Sequence, residues 1–230
     1  MAKIFYVEDD LNLSIVVKDC LITAGHEVQH FDKGDEAIEG FVKDKFDMCI
    51  LDVMLPNIDG FQIAKHVRSL DQKIPIIFIS ARIQMEDKLE GLGIGGDDYI
   101  FKPFSIDELL LKVKIFFRRR AAYVEEATTT IQPIRFGHFV FDRTNLLLSS
   151  PTETVRLTQR ESDLLKYFIE NPNKLLRRED MLVALWGQDD YFLGRSMDVF
   201  ISRVRKYLQS DATIQIQNIP RVGFKFICAI

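Results

Sequence analysis

Five short apolar runs, separated by amphipathic stretches, constrain this chain more than any other feature. The runs are Ile4–Val7, Val28–Phe31, Met48–Leu51, Ile76–Ile79 and Tyr99–Phe101. Between them the apolar residues recur at helical spacing. Leu13, Val16, Val17, Cys20, Leu21 and Ala24 share one side of a segment that stops at Gly25. Leu109, Leu110, Val113 and Phe116 do the same in a segment opened by Ser105-Ile106-Asp107-Glu108, a capping-box pattern. Strands apolar on both faces, alternating with helices, predict an α/β unit: a parallel sheet covered by helices on each side.

The pattern changes beyond residue 120. Arg118-Arg119-Arg120 suits the negative end of a helix dipole and is read as closing the fifth helix. Ala121 to Pro133 loses periodicity, so a linker is expected over 122–133, between domains at 1–121 and 134–230. Phe136 to Val155 reads as short strands with turns at Gly137, Asp142–Asn145 and Ser149–Pro151. Helices follow from Thr158, where Thr158-Gln159-Arg160-Glu161 is a second capping box, and from about Arg178 and Arg195. A terminal hairpin pairs Ile214–Ile219 with Phe224–Ile227. This second part is an α+β unit.

A length of 230 residues suits two ordinary domains. No apolar run has the length of a membrane span, and the strand-like start at Lys3 leaves no room for a signal peptide. The three cysteines, Cys20, Cys49 and Cys228, lack metal spacing and read as free thiols in a reducing, cytoplasmic compartment. The net charge of −4 divides unequally, −5 over residues 1–122 and +1 over 123–230. Within the second part, 195–225 holds six Lys and Arg against two acids, the place to expect a polyanion.

Chemistry in an open parallel sheet collects at the carboxyl ends of the strands. There the sequence sets Glu8-Asp9-Asp10, Asp52, Ser80 and Lys102. Packed carboxylates repel, and Mg²⁺ with its oxygen ligands relieves that repulsion. Asp52 can act as a nucleophile toward phosphorus, giving an acyl phosphate. Lys102 and the metal would offset the phosphoryl charge, and Ser80 could donate to a phosphoryl oxygen.

Val7-Glu8-Asp9-Asp10, Leu51-Asp52-Val53-Met54-Leu55-Pro56-Asn57-Ile58-Asp59-Gly60, Ile79-Ser80-Ala81-Arg82 and Asp97-Asp98-Tyr99-Ile100-Phe101-Lys102-Pro103-Phe104 resemble the receiver motifs of two-component response regulators, of the OmpR/PhoB subfamily. The resemblance implies a flavodoxin-like sheet in the order 2-1-3-4-5 and a cis bond before Pro103. It implies Asp52 as phosphoacceptor, Mg²⁺ on Glu8, Asp9, Asp52 and the Met54 carbonyl, Lys102 on the phosphate, and Ser80 with Tyr99 as a switch pair. Asp10 falls outside the acidic pair and is expected in a capping or supporting role. A sensor histidine kinase would donate the phosphoryl group, and the chain would be no enzyme beyond its own phosphotransfer and dephosphorylation. Phosphorylation would make a homodimer, with cross-dimer pairs Lys88–Glu108, Asp98–Lys112 and Asp97–Arg119.

On a helix over Arg195 to Leu208, Met197, Ile201, Val204 and Leu208 form one stripe, facing the core. Opposite lie Arg195, Val199, Ser202 and Lys206, flanked by Arg203 on one side and by Arg205 with Asp198 on the other. Cations, a hydroxyl and a bare valine suit a major groove. Leu157-Thr158-Gln159-Arg160-Glu161, Leu185-Trp186-Gly187, Arg195-Ser196-Met197-Asp198-Val199 and Val222-Gly223-Phe224-Lys225-Phe226 resemble the winged helix-turn-helix effector of the same subfamily. That resemblance implies a recognition helix at 195–208, a Trp186–Gly194 loop that touches RNA polymerase, and a wing over the minor groove of double-stranded promoter DNA, bound at tandem half-sites. Pro220-Arg221 stands where many relatives carry Arg-Gly, which moves the wing arginine by one position; Ser202 stands where some carry Arg.

Two enzyme readings fit less well. A haloacid-dehalogenase-type phosphatase needs a second acid two residues beyond its nucleophile, and that position is Met54. Gly91-Leu92-Gly93-Ile94-Gly95-Gly96 has dinucleotide-binding spacing, but it ends a helical pattern and precedes a strand, the reverse of the order that motif needs.

Overall fold

The computed structural model describes residues 1–81, 85–128, 132–187 and 191–228, and the side chains of these except 85–89, 118–128 and 191–196. The chain divides into two units, Met1–Phe116 and Phe117–Ile230.

The first unit alternates strand and helix: β1 (Lys3–Val7), α1 (Leu11–Thr23), β2 (Glu27–Phe31), α2 (Gly34–Gly40), β3 (Met48–Asp52), α3 (Gly60–Leu70), β4 (Ile76–Ser80), α4 (Met85–Ile94), β5 (Asp98–Phe101) and α5 (Ile106–Thr128). The sheet order is β2-β1-β3-β4-β5 and every neighbouring pair is parallel, the flavodoxin-like arrangement. Alternation sends Phe5, Val7, Cys49, Leu51, Ile76 and Phe78 into one core with Ala37, Phe61 and Val67. The other sheet face buries Ile4, Tyr6, Ile50 and Ile79.

The glycines near the end of α4 serve packing. A Cβ on Gly91 would fall 2.9 Å from the Phe61 ring and 3.1 Å from Phe78, and one on Gly96 would fall 2.6 Å from Phe78. The bare backbone admits the Phe78 ring, whose burial is worth about 1.5–3 kcal/mol. The dinucleotide-like spacing is thus a packing feature.

One boundary differs from expectation. α5 does not close at Arg120 but continues to Thr128, so the expected linker at 122–133 is helical in its first part. Apolar periodicity fades there, yet Ala121, Ala122, Glu125, Glu126 and Ala127 are strong helix formers.

The second unit opens with β6 (Ile134–Phe136), β7 (Phe139–Asp142), β8 (Leu147–Ser149) and β9 (Thr154–Arg156), an antiparallel sheet in chain order. Next come α6 (Gln159–Glu170), β10 (Leu175–Arg177), α7 (Arg178–Trp186), α8 (Tyr191–Leu208), β11 (Gln215–Ile219) and β12 (Gly223–Ile227). The last three strands form a sheet ordered β10-β12-β11. Three helices with this terminal hairpin make a winged-helix unit. The Thr158 capping box is complete, with both reciprocal bonds present. Among the described residues no helix is long and apolar enough to cross a membrane.

Candidate functional site

Glu8 and Asp9 follow β1, Asp52 ends β3, Ser80 ends β4 and Lys102 follows β5, so the parallel order brings all five to one edge. Carboxylate oxygens of Glu8, Asp9 and Asp52 lie within 4.8 Å of one another. Lys102 Nζ donates to Asp52 Oδ2 at 2.6 Å and to Glu8 Oε1 at 2.7 Å. Asp52 Oδ1 accepts from the Met54 amide at 2.7 Å. Ser80 is fully buried, and the bond before Pro103 is cis. Asp10 caps α1, its carboxylate accepting from Asn12 and Leu13 amides, which is the supporting role expected of it.

Electrostatics follow from burial. Desolvation pushes the Glu8 carboxyl up to about 7; Lys102 opposes this and the Asp52 charge adds to it. Burial lowers the Lys102 pKa, but its bonds to Asp52 and Glu8 outweigh that and the net shift is upward. Glu8 Oε2 is buried with no hydrogen-bond partner. A buried oxygen without a partner, beside exposed Asp9 and within reach of Asp52, fits a hard divalent cation.

Gly60 sets the approach of α3 to this edge. A Cβ there would collide with the Asp52 carbonyl oxygen. Tyr99 is 2 % exposed, packed against Phe78 and Phe101.

Within the single chain, two of the charges expected in the dimer pairs have partners of their own. Asp97 is 1 % exposed, and its Oδ2 accepts from Arg68 Nη2 and the Ile76 amide, each at 3.0 Å. Asp98 Oδ2 accepts from Lys112 Nζ of the same chain at 3.0 Å, both side chains being buried. A cation of the same chain lies within reach in each case, so Asp97 and Asp98 are tied internally. Both of these carboxylates thus already have a cation partner within one chain. Glu108 is half-buried, its amide donating to Ser105 Oγ. The side chains of Lys88 and Arg119 lie outside the described residues.

In the second unit α8 begins at Tyr191, not Arg195, so Tyr191–Gly194 belongs to the helix. Gly194 falls inside α8, where an interior glycine costs only about 1 kcal/mol. Trp186 is the last residue of α7, is 4 % exposed and lies 4.9 Å from the buried Arg160 guanidinium. The expected Trp186–Gly194 loop therefore shrinks from both ends, and residues 188–190 lie outside the description. Met197, Ile201, Val204 and Leu208 are buried as the stripe predicted, with Phe200 beside them. Ser202 and Lys206 are exposed and Val199 is half-buried; the Arg195 side chain lies outside the description.

Two cations of α8 are engaged by neighbouring elements, half-buried Arg203 and exposed Arg205. Arg203 Nε lies 2.8 Å from Oε1 of the fully buried Glu161, which also accepts from the Tyr207 hydroxyl at 3.1 Å. Arg205 donates from Nε and Nη2 to the Ile216 carbonyl oxygen, at 2.9 and 2.6 Å. In both cases an acceptor on a neighbouring element lies within reach of the guanidinium. Arg221, at the hairpin tip, is exposed with φ 62°.

A flavodoxin-like unit with an acid–lysine cluster at its strand ends, followed by a winged-helix unit, defines the class: a DNA-binding response regulator of a two-component system. Residues 4–114 match the response regulator receiver domain, and 152–226 match the C-terminal domain of transcriptional regulatory proteins. Transcriptional regulatory protein RprY of Bacteroides fragilis is 38 % identical over 225 residues, covering 98 % of this chain and 94 % of its own. CiaR of Streptococcus pneumoniae is 32 % identical, with 97 % of each chain covered. The solved structure of DrrB, an OmpR/PhoB homologue from Thermotoga maritima, matches at a TM-score of 0.53 with 28 % identity, covering 99 % of both chains. The chain belongs to the OmpR/PhoB family of response regulators.

Proposed function

We propose that Asp52 accepts a phosphoryl group from a sensor histidine kinase and that this event controls binding of promoter DNA by the second unit. The Lys102 bridge between Asp52 and Glu8, beside a buried carboxylate oxygen without a partner, carries this reading. Glu8, Asp9, Asp52 and the Met54 carbonyl would hold Mg²⁺, which when bound offsets charge on the phosphoryl oxygens. An Asp52 oxygen forms the new O–P bond as the P–N bond of the donor phosphohistidine breaks and its imidazole leaves. Lys102 moves from its two carboxylates to the phosphoryl group, and Ser80 donates to one of its oxygens. Ser80 and Tyr99 then act as the switch pair. The chain has no enzyme activity beyond this transfer and the hydrolysis of its own acyl phosphate, and it works in the cytoplasm.

Phosphorylated receivers pair through α4, β5 and α5, with Lys88 and Glu108 as the remaining candidate contact. The homodimer binds tandem half-sites. α8 enters the major groove with Arg195, Val199, Ser202 and Lys206, and Arg221 reaches the minor groove. The stretch between α7 and α8 offers a contact to RNA polymerase.

Incubation with acetyl phosphate and Mg²⁺ tests the chemistry. One acid-stable, hydroxylamine-labile phosphoryl group per wild-type chain is expected, and none in Asp52→Ala or in EDTA. Stoichiometric labelling of Asp52→Ala would overturn the site.

A further inference from the structure

Four elements of the second unit, α7, α8, β11 and β12, are joined by contacts that the reading above leaves unused. Arg178, at the start of α7, forks onto Asp198 of α8: Nη1 donates to Oδ1 at 2.9 Å and Nη2 donates to Oδ2. The same guanidinium lies 5.4 Å from the ring centroid of Phe224 in β12. Arg205 of α8 lies 5.9 Å from that ring and is tied to β11 through the Ile216 carbonyl. Phe224 is 3 % exposed. Two arginines thus hold one aromatic ring, and each is anchored elsewhere. Beside the ring, a Cβ on Gly223 would collide with the Leu176 carbonyl oxygen, so the turn end of the hairpin sits tight against β10.

We propose that Arg178 and Arg205 serve DNA binding as positioning residues, locking the hairpin to α8 through Phe224, and that Arg178 neutralises Asp198 at the DNA surface. The proposal rests on α8 being the helix that meets DNA. Three features support it. Two donors of one guanidinium on a single carbonyl, with an aromatic ring alongside, use a planar fork that lysine lacks. The Asp198 side chain is 49 % exposed on the helix that carries exposed Ser202 and Lys206, and a bare carboxylate there would repel phosphates. Arg221 rides in the turn of the hairpin, three residues from Phe224, so its aim depends on how that ring is seated.

The test uses the full chain and a duplex selected with it from a random-sequence pool. Emission of Trp186, the single tryptophan, reports folding of the second unit, and acetyl-phosphate labelling reports the first. Arg178→Ala should weaken binding about tenfold, and Asp198→Asn added to it should restore most of that. Arg205→Lys keeps the charge but lacks the fork and should weaken binding nearly as much as Arg205→Ala, whereas Arg178→Lys, which still faces Asp198 with a cation, should lose less than Arg178→Ala. Labelling should be unchanged in all of them. Failure of Asp198→Asn to rescue, or an Arg205→Lys that binds like wild type, would overturn the proposal. Lys206→Ala that binds like wild type would instead sink the placement of α8 on DNA.

Discussion

Lys102 holds Asp52 and Glu8 with one ammonium, so its loss leaves the acidic cluster without its counter-charge. Lys102→Ala should still take up some label from acetyl phosphate with Mg²⁺ but fail to tighten DNA binding; a labelled Lys102→Ala that tightens like wild type would remove lysine from the switch. Gly60→Ala sets a methyl against the Asp52 carbonyl and should cost the receiver about 1–3 kcal/mol, seen as a lower melting temperature together with slower labelling. The acids and Lys102 were legible because strand ends place them without knowledge of any contact. Arg203 was not, because its acceptor Glu161 sits on α6, far away in sequence, and helical spacing reports only which face a residue is on. Arg203→Ala should therefore lower thermal stability by about 1–3 kcal/mol, leaving a buried carboxylate short of a partner. Loss of preference at one base pair with unchanged stability would restore Arg203 as a reader of sequence.

Elements were readable where apolar period and punctuation agree. β1 to β5 fall within one residue of the apolar runs, and the Thr158 box opens α6. They were misread where these signals part company. α5 runs on through a stretch with helix propensity but no apolar period, and α8 starts before an interior glycine. The charges of β5 and α5 raise a related point. Opposite charges on neighbouring elements can meet within one chain or between two, and spacing does not distinguish these cases. The buried Lys112–Asp98 pair places a prediction at this scale. Lys112→Ala should destabilise the unphosphorylated receiver by on the order of 3 kcal/mol. A purely intermolecular role would leave that melt unchanged and alter only the sedimentation of the phosphorylated form.

The whole molecule joins an acidic unit that gathers carboxylates at one sheet edge to a unit that presents Ser202 and Lys206 on α8 and Arg221 on its hairpin. Family and fold class were legible at this scale because each unit carries its own motifs. Which cations are spent on internal contacts emerged only from the folded chain. The central claim is that chemistry at Asp52 governs affinity at α8. The measurement that tests it most directly is a DNA titration at one fixed salt concentration, on wild type and Asp52→Ala, each before and after acetyl phosphate with Mg²⁺. Wild type should bind its selected duplex about tenfold or more tightly after treatment, and Asp52→Ala should not change. Equal tightening of both proteins, or of neither while wild type carries one phosphoryl group per chain, would contradict the account.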